Sequence, residues 1–153
     1  MNVRLALSVS TWAALALAIV AAPVAAAALE FRAIGENAAI LYDGPTTKAS
    51  KLFVVNKGYP VEVVVAVEGW VKVRDASGAF AWIEASKLTE KRTVMVKVPV
   101  ADIRVKPDEA SAVSFQAQQS VVLDFVGISG GWVQVRHRDG ATGYVRAQQV
   151  WGA

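Results

Sequence analysis

The chain contains the stretch Gly69-Trp70-Val71-Lys72-Val73-Arg74 and, 62 positions later, Gly131-Trp132-Val133-Gln134-Val135-Arg136. From the tryptophan onward, every second residue is a valine in both copies. Alternation with a period of two predicts a β-strand with one buried face, because successive side chains of a strand point to opposite sides. We therefore expect the valines on the buried face and the tryptophans on the opposite one.

The two stretches belong to a longer internal repeat. Residues 39–88 align with residues 101–150 at this constant offset without a gap, and 12 of the 50 pairs are identical. Average residue usage would give about 3 or 4. The identities include residue types that rarely coincide by chance: Pro45/Pro107, Phe53/Phe115, Trp70/Trp132 and Gly78/Gly140.

Each copy consists of short strand patterns separated by turns. Tyr59 to Val67 and Ser120 to Ile128 are rich in the β-branched residues that favour strands. Asp75-Ala76-Ser77-Gly78 and His137-Arg138-Asp139-Gly140 predict hairpin turns that end in a glycine able to adopt a positive φ. With copies of about 60 residues, this pattern predicts an all-β fold of two small barrels in tandem.

The N-terminal segment has a different character. After Arg4, residues 5–29 carry no charge, Pro23 interrupts the apolar run, and Ala26-Ala27-Ala28 offers small residues for cleavage. These features predict an N-terminal signal helix, a signal peptide over residues 1–28, and hence export to the periplasm or cell wall. An uncleaved membrane anchor is the alternative, because the apolar stretch is about long enough to span a bilayer.

Charge and cysteine content narrow the possible partners. Removing Arg4 with the signal peptide lowers the 16 basic residues to 15, against 13 acidic ones, a near-balance that disfavours nucleic acid. The chain has no cysteine, which excludes disulfides and thiolate metal sites.

The polar stretch 89–92 separates the copies and predicts a first domain over residues 31–90 and a second over residues 93–153. We expect a monomer.

The motifs resemble those of the bacterial SH3-like domain family, which combines an N-V-R-x-x-P segment, G-W-x-x-V, a glycine turn and G-W/Y-V. The second copy matches with 102–107, Gly131 to Val135, Gly140 and Gly143-Tyr144-Val145. The first copy matches in its later half but departs early, at 40–45, and has Ala81 in place of the last glycine.

The resemblance covers nearly all of the chain after the signal peptide. It implies two SH3-like barrels and a wall-binding or accessory role outside the cytoplasmic membrane. Because one fold hosts many functions, it does not by itself identify a ligand.

Catalysis is not expected, and we predict no metal and no cofactor. His137 is the one histidine of the chain, and it lies in a predicted turn. A metal site needs several ligands, and a nucleophile needs a nearby base. One turn histidine does not make a metal site, and the first copy has no histidine to act as a base.

Aromatic and arginine side chains remain as candidate ligand-binding residues. An exposed ring of Trp70 or Trp132 could stack on a sugar or peptide, although either ring could instead cover the barrel mouth or the adjoining domain. Arg74 and Arg136 predict either a basic rim or cross-strand pairs. The candidates are Trp132, Tyr144, Arg104, Arg136, Trp70, Trp82 and Tyr42. Trp151 is expected to pack against its own barrel.

Tyr42-Asp43 is similar to the A-L-Y-D-Y stretch of eukaryotic SH3 domains, which bind proline-rich peptides. The second copy lacks it, and residues 44–53 contain two lysines and no carboxylate, so such a site is disfavoured. The leading hypothesis is non-catalytic binding of peptidoglycan or its stem peptides. The alternative is a protein–protein adaptor that docks on a secreted enzyme or envelope complex.

Overall fold

The computed structural model describes residues 28–153, which form two antiparallel seven-stranded sheets. The first sheet contains β1 (Glu30–Ile34), β2 (Ala39–Tyr42), β3 (Lys51–Val55), β4 (Pro60–Val67), β5 (Trp70–Arg74), β6 (Phe80–Glu84) and β7 (Leu88–Thr89). The second contains β8 (Thr93–Val96), β9 (Val100–Arg104), β10 (Val113–Gln118), β11 (Val122–Ser129), β12 (Trp132–Arg136), β13 (Thr142–Arg146) and β14 (Val150–Trp151). The expected all-β fold of two tandem SH3-like units is confirmed.

The two sheets have the same topology. Their strand orders are β3-β2-β6-β5-β4-β1-β7 and β10-β9-β13-β12-β11-β8-β14. A single 3-10 turn precedes the last strand of each, at Ala85–Lys87 and Ala147–Gln149. Among residues 28–153 no helix is long and apolar enough to cross a bilayer. The predicted signal peptide lies outside the described residues, apart from Ala28.

Each barrel has its own apolar core, built from the inward side of its strands. Val71 and Val73 of β5 are buried with Ile83 of β6, and Val133 and Val135 occupy the same places in the second barrel. The predicted inward orientation of the valines is thus confirmed. The predicted hairpin turns are also present, with φ of 89° at Gly78 and 97° at Gly140.

Gly143 lies where the second barrel has no room for a side chain. A Cβ there would be 2.6 Å from Cγ2 of Ile103 and 2.7 Å from the carbonyl oxygen of Arg104. The first barrel has Ala81 at the equivalent position, and the counterpart of Ile103 is Leu41, which branches one carbon further from the backbone. The exception to the family motif therefore fits the residue that packs beside it.

Two contacts of the C-terminal strand β14 and one of β8 join the barrels. The Trp151 ring meets Phe31 of the first barrel edge-to-face, with ring centres 5.1 Å apart. Its Nε1 donates to the carbonyl oxygen of Pro60 at 3.3 Å, and the Thr93 hydroxyl donates to that of Gly58 at 2.6 Å. The expectation that Trp151 packs against its own barrel is wrong, because its strand lies on the side that faces β1 and β4.

Arg92 completes this junction from the short segment between the barrels. Its guanidinium stacks on Phe125, 4.0 Å from the ring centre, and lies 6.0 Å from the ring centre of Phe31. It also donates to the carbonyl oxygen of Gly152 at 3.0 Å. Burial lowers the pKa of Arg92 from its ordinary value. Aromatic rings from both barrels therefore surround one linker cation.

Replacing Gly143 by alanine tests the close approach described above. We expect Gly143→Ala to lower the free energy of unfolding by about 2 kcal/mol through overpacking. Adding Ile103→Leu should recover about half of this loss, because it reproduces the arrangement of the first barrel. Urea unfolding of Gly143→Ala, of Ile103→Leu and of the double variant measures the coupling energy between the two positions. Equal stability of Gly143→Ala and wild type would contradict the packing argument.

Trp151→Ala tests whether the junction couples the two barrels. The loss of a half-buried indole should cost about 2 kcal/mol and turn one calorimetric transition into two. Trp82→Ala is the matched control, because Trp82 is half-buried on the first barrel away from the junction. Its transition should stay single. Two transitions already present in the wild type would show that the barrels unfold independently.

Candidate functional site

The outward face of the second barrel carries most of the predicted binding residues. Trp132 and Gln134 alternate with the buried valines of β12, and Tyr144 and Arg146 alternate with Val145 on β13. Cross-strand register places Trp132 opposite Arg146 and Gln134 opposite Tyr144. Residues paired in this way lie on the same face of a sheet, so these four side chains form one cluster.

Trp132 is at the centre of this cluster, but its ring is covered. The guanidinium of Arg146 lies 4.2 Å from the ring centre, and Trp132 is 7% exposed. The predicted orientation of Trp132 away from the valine core is correct. Its ring, however, is not exposed for stacking on a ligand. The stacked arginine is the reason, since a guanidinium plane can cover an indole face.

Glu109 links the two arginines of the site. Its carboxylate accepts from Nε of Arg146 at 2.6 Å and lies 3.7 Å from Nε of Arg104. Arg104 also donates to the carbonyl oxygen of Ser111 at 2.8 Å and lies 3.7 Å from Asp102. Two guanidiniums and two carboxylates therefore meet beside Trp132 with no net charge.

Trp132 borders two shallow pockets. The first, of about 280 Å³, is polar and lined by Asp102, Arg104, Glu109, Gln116, Arg146 and neighbouring residues. The second, also of about 280 Å³, is lined by Pro107, Gly127, Ile128, Ser129, Gln134 and Tyr144. Arg104 lines the first pocket and Tyr144 the second, and the two residues are cross-strand neighbours, so both are brought together with Trp132.

Arg136 does not join this cluster. It lies four residues along β12 from Trp132, roughly 13 Å at the rise of a strand, and it lines neither pocket. Its cross-strand neighbour Asp124 pairs with Lys91 at 2.9 Å. The equivalent Arg74 of the first barrel does form the predicted cross-strand pair, donating from Nε to Glu62 at 2.8 Å.

The first barrel arranges its equivalent residues differently. Tyr42 meets Trp70 edge-to-face with ring centres 5.5 Å apart, and Tyr42 is 7% exposed. Tyr42 therefore occupies the position of Arg104 but acts as packing for Trp70. Trp82 is half-buried and pairs with Tyr42 across the strands, and Glu84 stands where the second barrel has Arg146.

His137 has a local structural role in its turn. Its Nδ1 is 2.9 Å from Oδ1 of Asp139, and its ring lies 5.9 Å from that of Phe115. The backbone N–H of Ala141, followed by His137, lowers the pKa of Asp139. Among residues 28–153 no group of three or more histidine or acidic side chains could hold a metal ion.

Glu109 and Arg146 are site residues that were not predicted from the sequence. Residues 44–53 of the first copy contain no carboxylate, whereas the equivalent loop of the second copy contains Asp108 and Glu109. A carboxylate in this loop is the sequence signal that indicates Glu109. Arg146 was not predicted as a site residue, because only the fold shows that it stacks on Trp132.

The family model of the bacterial SH3 domain matches the chain twice, at residues 35–90 and 97–152. The chain belongs to the bacterial SH3 domain family. This is a family of non-catalytic domains. A search of the curated proteins found no match.

Solved structures similar to this chain include NlpC2 and NlpC1 from Trichomonas vaginalis, each 18% identical, with TM-scores of 0.38 and 0.39. The matches cover 81% and 88% of this chain, and 48% and 50% of the NlpC2 and NlpC1 chains. An NlpC/P60 family protein from Bacillus cereus is 16% identical with a TM-score of 0.36, over 79% of this chain and 55% of its own. The bacterial SH3 chain thus spans about half the length of these proteins.

Removing the stacked guanidinium tests the site geometry. We expect Arg146→Ala to expose the Trp132 ring, seen as a larger solvent isotope shift of one resonance in fluorine NMR of fluorotryptophan-labelled protein. The stability loss should be about 1 kcal/mol, as for a partly exposed cation–π pair. Arg136→Ala is the control, because Arg136 is exposed and outside both pockets. An unchanged Trp132 resonance in Arg146→Ala would refute the stacking.

Proposed function

We propose that this protein is an exported, non-catalytic binding module of the cell envelope that recognises peptidoglycan through its stem peptides. The observation that carries the proposal is the cluster of Trp132 with Arg104, Arg146 and Glu109. Stem peptides bear both carboxylates and amino groups. A site with two guanidiniums and two carboxylates at one aromatic ring offers a partner for each.

The ion pairs of this site can exchange with a ligand at low cost. Glu109 is exposed, with 59% of its side chain accessible, and Arg146 is partly exposed. Exposed pairs of this kind contribute about 0–1 kcal/mol. A peptide carboxylate can therefore replace Glu109 on Arg104 and Arg146 with charge-assisted hydrogen bonds of similar or better geometry.

The second pocket supplies the apolar half of the recognition. Tyr144 and Pro107 present ring surfaces, and Ile128 is exposed beside them. An alanine methyl group or a sugar face fits such a shallow apolar surface. We assign Tyr144, Trp132 and Arg104 to the binding site of the second barrel, and Trp70, Trp82 and Tyr42 to a first-barrel surface that differs in chemistry. Arg136 contributes at most to a distant rim.

Co-sedimentation with insoluble peptidoglycan sacculi tests this function. We expect the double variant Arg104→Gln, Arg146→Gln to reduce retention by about 10-fold or more, because it removes two charge-assisted contacts. Glu84→Gln is the matched control, since Glu84 is the first-barrel counterpart of Arg146, and it should bind as wild type does. Soluble stem peptides should compete. Equal retention of the double variant and wild type would exclude this site, and absence of any retention would exclude the function.

A further inference from the structure

The first barrel has an open pocket beside Trp70, the counterpart of the covered Trp132. The pocket has a volume of about 480 Å³ and is lined by Pro45, Thr46, Thr47, Gly69, Trp70, Glu84, Ala85 and Ser86. We call it the Trp70 pocket. Trp70 is half-buried, whereas Trp132 is 7% exposed. Part of the Trp70 indole is therefore accessible to a ligand.

The second copy of the repeat shows which side chains fill the equivalent place. At the offset of 62, the counterparts of Trp132, Glu109 and Arg146 are Trp70, Thr47 and Glu84. The Arg146 guanidinium lies 4.2 Å from the centre of the Trp132 ring and donates to Glu109 at 2.6 Å. The first barrel keeps the tryptophan and the backbone, with Trp70 opposite Glu84 in the same cross-strand register. It therefore has a carboxylate where the second barrel supplies its own cation.

Glu84 gives the Trp70 pocket a negative charge. Among residues 28–153 it is the one charged residue that lines this pocket. In the same part of the chain, no basic side chain lies within 4 Å of its carboxylate, since Lys87 pairs instead with Glu36 at 2.8 Å. No lysine or arginine of the described chain stacks on Trp70 either. A tryptophan ring beside an unpaired carboxylate favours a cation from outside.

We propose that the Trp70 pocket binds an arginine side chain of another protein, with its guanidinium on the Trp70 ring and hydrogen-bonded to Glu84. A planar guanidinium stacks on aromatic rings and binds a carboxylate through two N–H groups, whereas the compact ammonium of lysine does not. The hydroxyls of Thr47 and Ser86 line the same pocket and can accept further N–H groups. Arg146 on Trp132 is the precedent for this arrangement within the same fold.

The contact between Tyr42 and Trp70 stays in place in this arrangement, because Tyr42 does not line the Trp70 pocket. The ligand also differs from that of the second barrel, where Arg104 and Arg146 receive carboxylates. The two barrels then select ligands of opposite charge. The inference goes beyond the proposed wall binding and does not depend on it.

NMR titration of the isotope-labelled protein tests the pocket with a defined probe, the blocked peptide acetyl-Ala-Arg-Ala-amide. We expect saturable shifts of the Trp70 indole and Glu84 amide resonances, with a dissociation constant of about 1–5 mM. The Trp132 indole should not shift, because Arg146 covers its ring. The neutral citrulline peptide should bind about 10-fold more weakly, and the lysine peptide about threefold more weakly.

Two substitutions at position 84 separate charge from shape. Glu84→Gln keeps the shape of the side chain and should weaken binding of the arginine peptide about fivefold. Glu84→Arg supplies a guanidinium from the chain itself, as the second barrel does, and should abolish the peptide-induced shift of Trp70. Glu90→Gln is the matched control, since Glu90 is an exposed carboxylate outside the pocket, and should change the dissociation constant less than about twofold. Thermal unfolding of each variant confirms that it is folded.

Four results would overturn this inference. Equal affinity for the arginine and citrulline peptides, or equal affinity of Glu84→Gln and wild type, would show that charge is not recognised. Lysine binding as tight as arginine binding would contradict guanidinium stacking. Dimerisation of the wild type that Glu84→Gln abolishes would show that the arginine comes from a second copy of this chain. Glu84→Gln should still be retained on sacculi, so failure of wall binding and failure of arginine binding are read separately.

Discussion

The inward valines of β5 and β12 are the constraint on which the rest of each barrel depends. Val71 and Val73, like Val133 and Val135, must face a small closed core, and this fixes every alternate side chain outward. A barrel of about 60 residues has little apolar surface to spare, so its inward positions stay apolar in both copies. The outward positions carry no such requirement. They are therefore free to differ between the barrels.

The junction between the barrels is built where the two copies differ. Phe31, Trp151 and Arg92 have Thr93, Thr89 and Glu30 at the equivalent repeat positions. A ring from the first strand of the first barrel, a ring from the last strand of the second barrel and a cation from the segment between them thus meet at the junction. Each of these residues occurs in one copy and not in the other. The junction joins two barrels in a defined order.

Local patterns in the sequence were sufficient to predict the strands, the turns and the orientation of most side chains. Alternation around Trp132 predicts that its ring lies on the face opposite the valine core, and the structure confirms this. Alternation does not predict which residues cover that face, because Arg146 lies on another strand and Glu109 lies in a loop. The partner of Trp151 was unpredictable for the same reason. Its neighbours Phe31 and Pro60 are about ninety or more residues away, and the sequence contains no rule for how one barrel meets the next.

One pair of equivalent positions makes the outward faces of the two barrels chemically different. In the first barrel Tyr42 packs against Trp70 edge-to-face, an apolar contact that a charged ligand cannot replace without exposing both rings. In the second barrel the same position holds Arg104, which shares Glu109 with Arg146 beside Trp132. An ion pair can exchange one carboxylate for another at little cost. A tyrosine-to-arginine difference within a common backbone thus replaces an edge-to-face ring contact by a cluster of ion pairs beside the tryptophan.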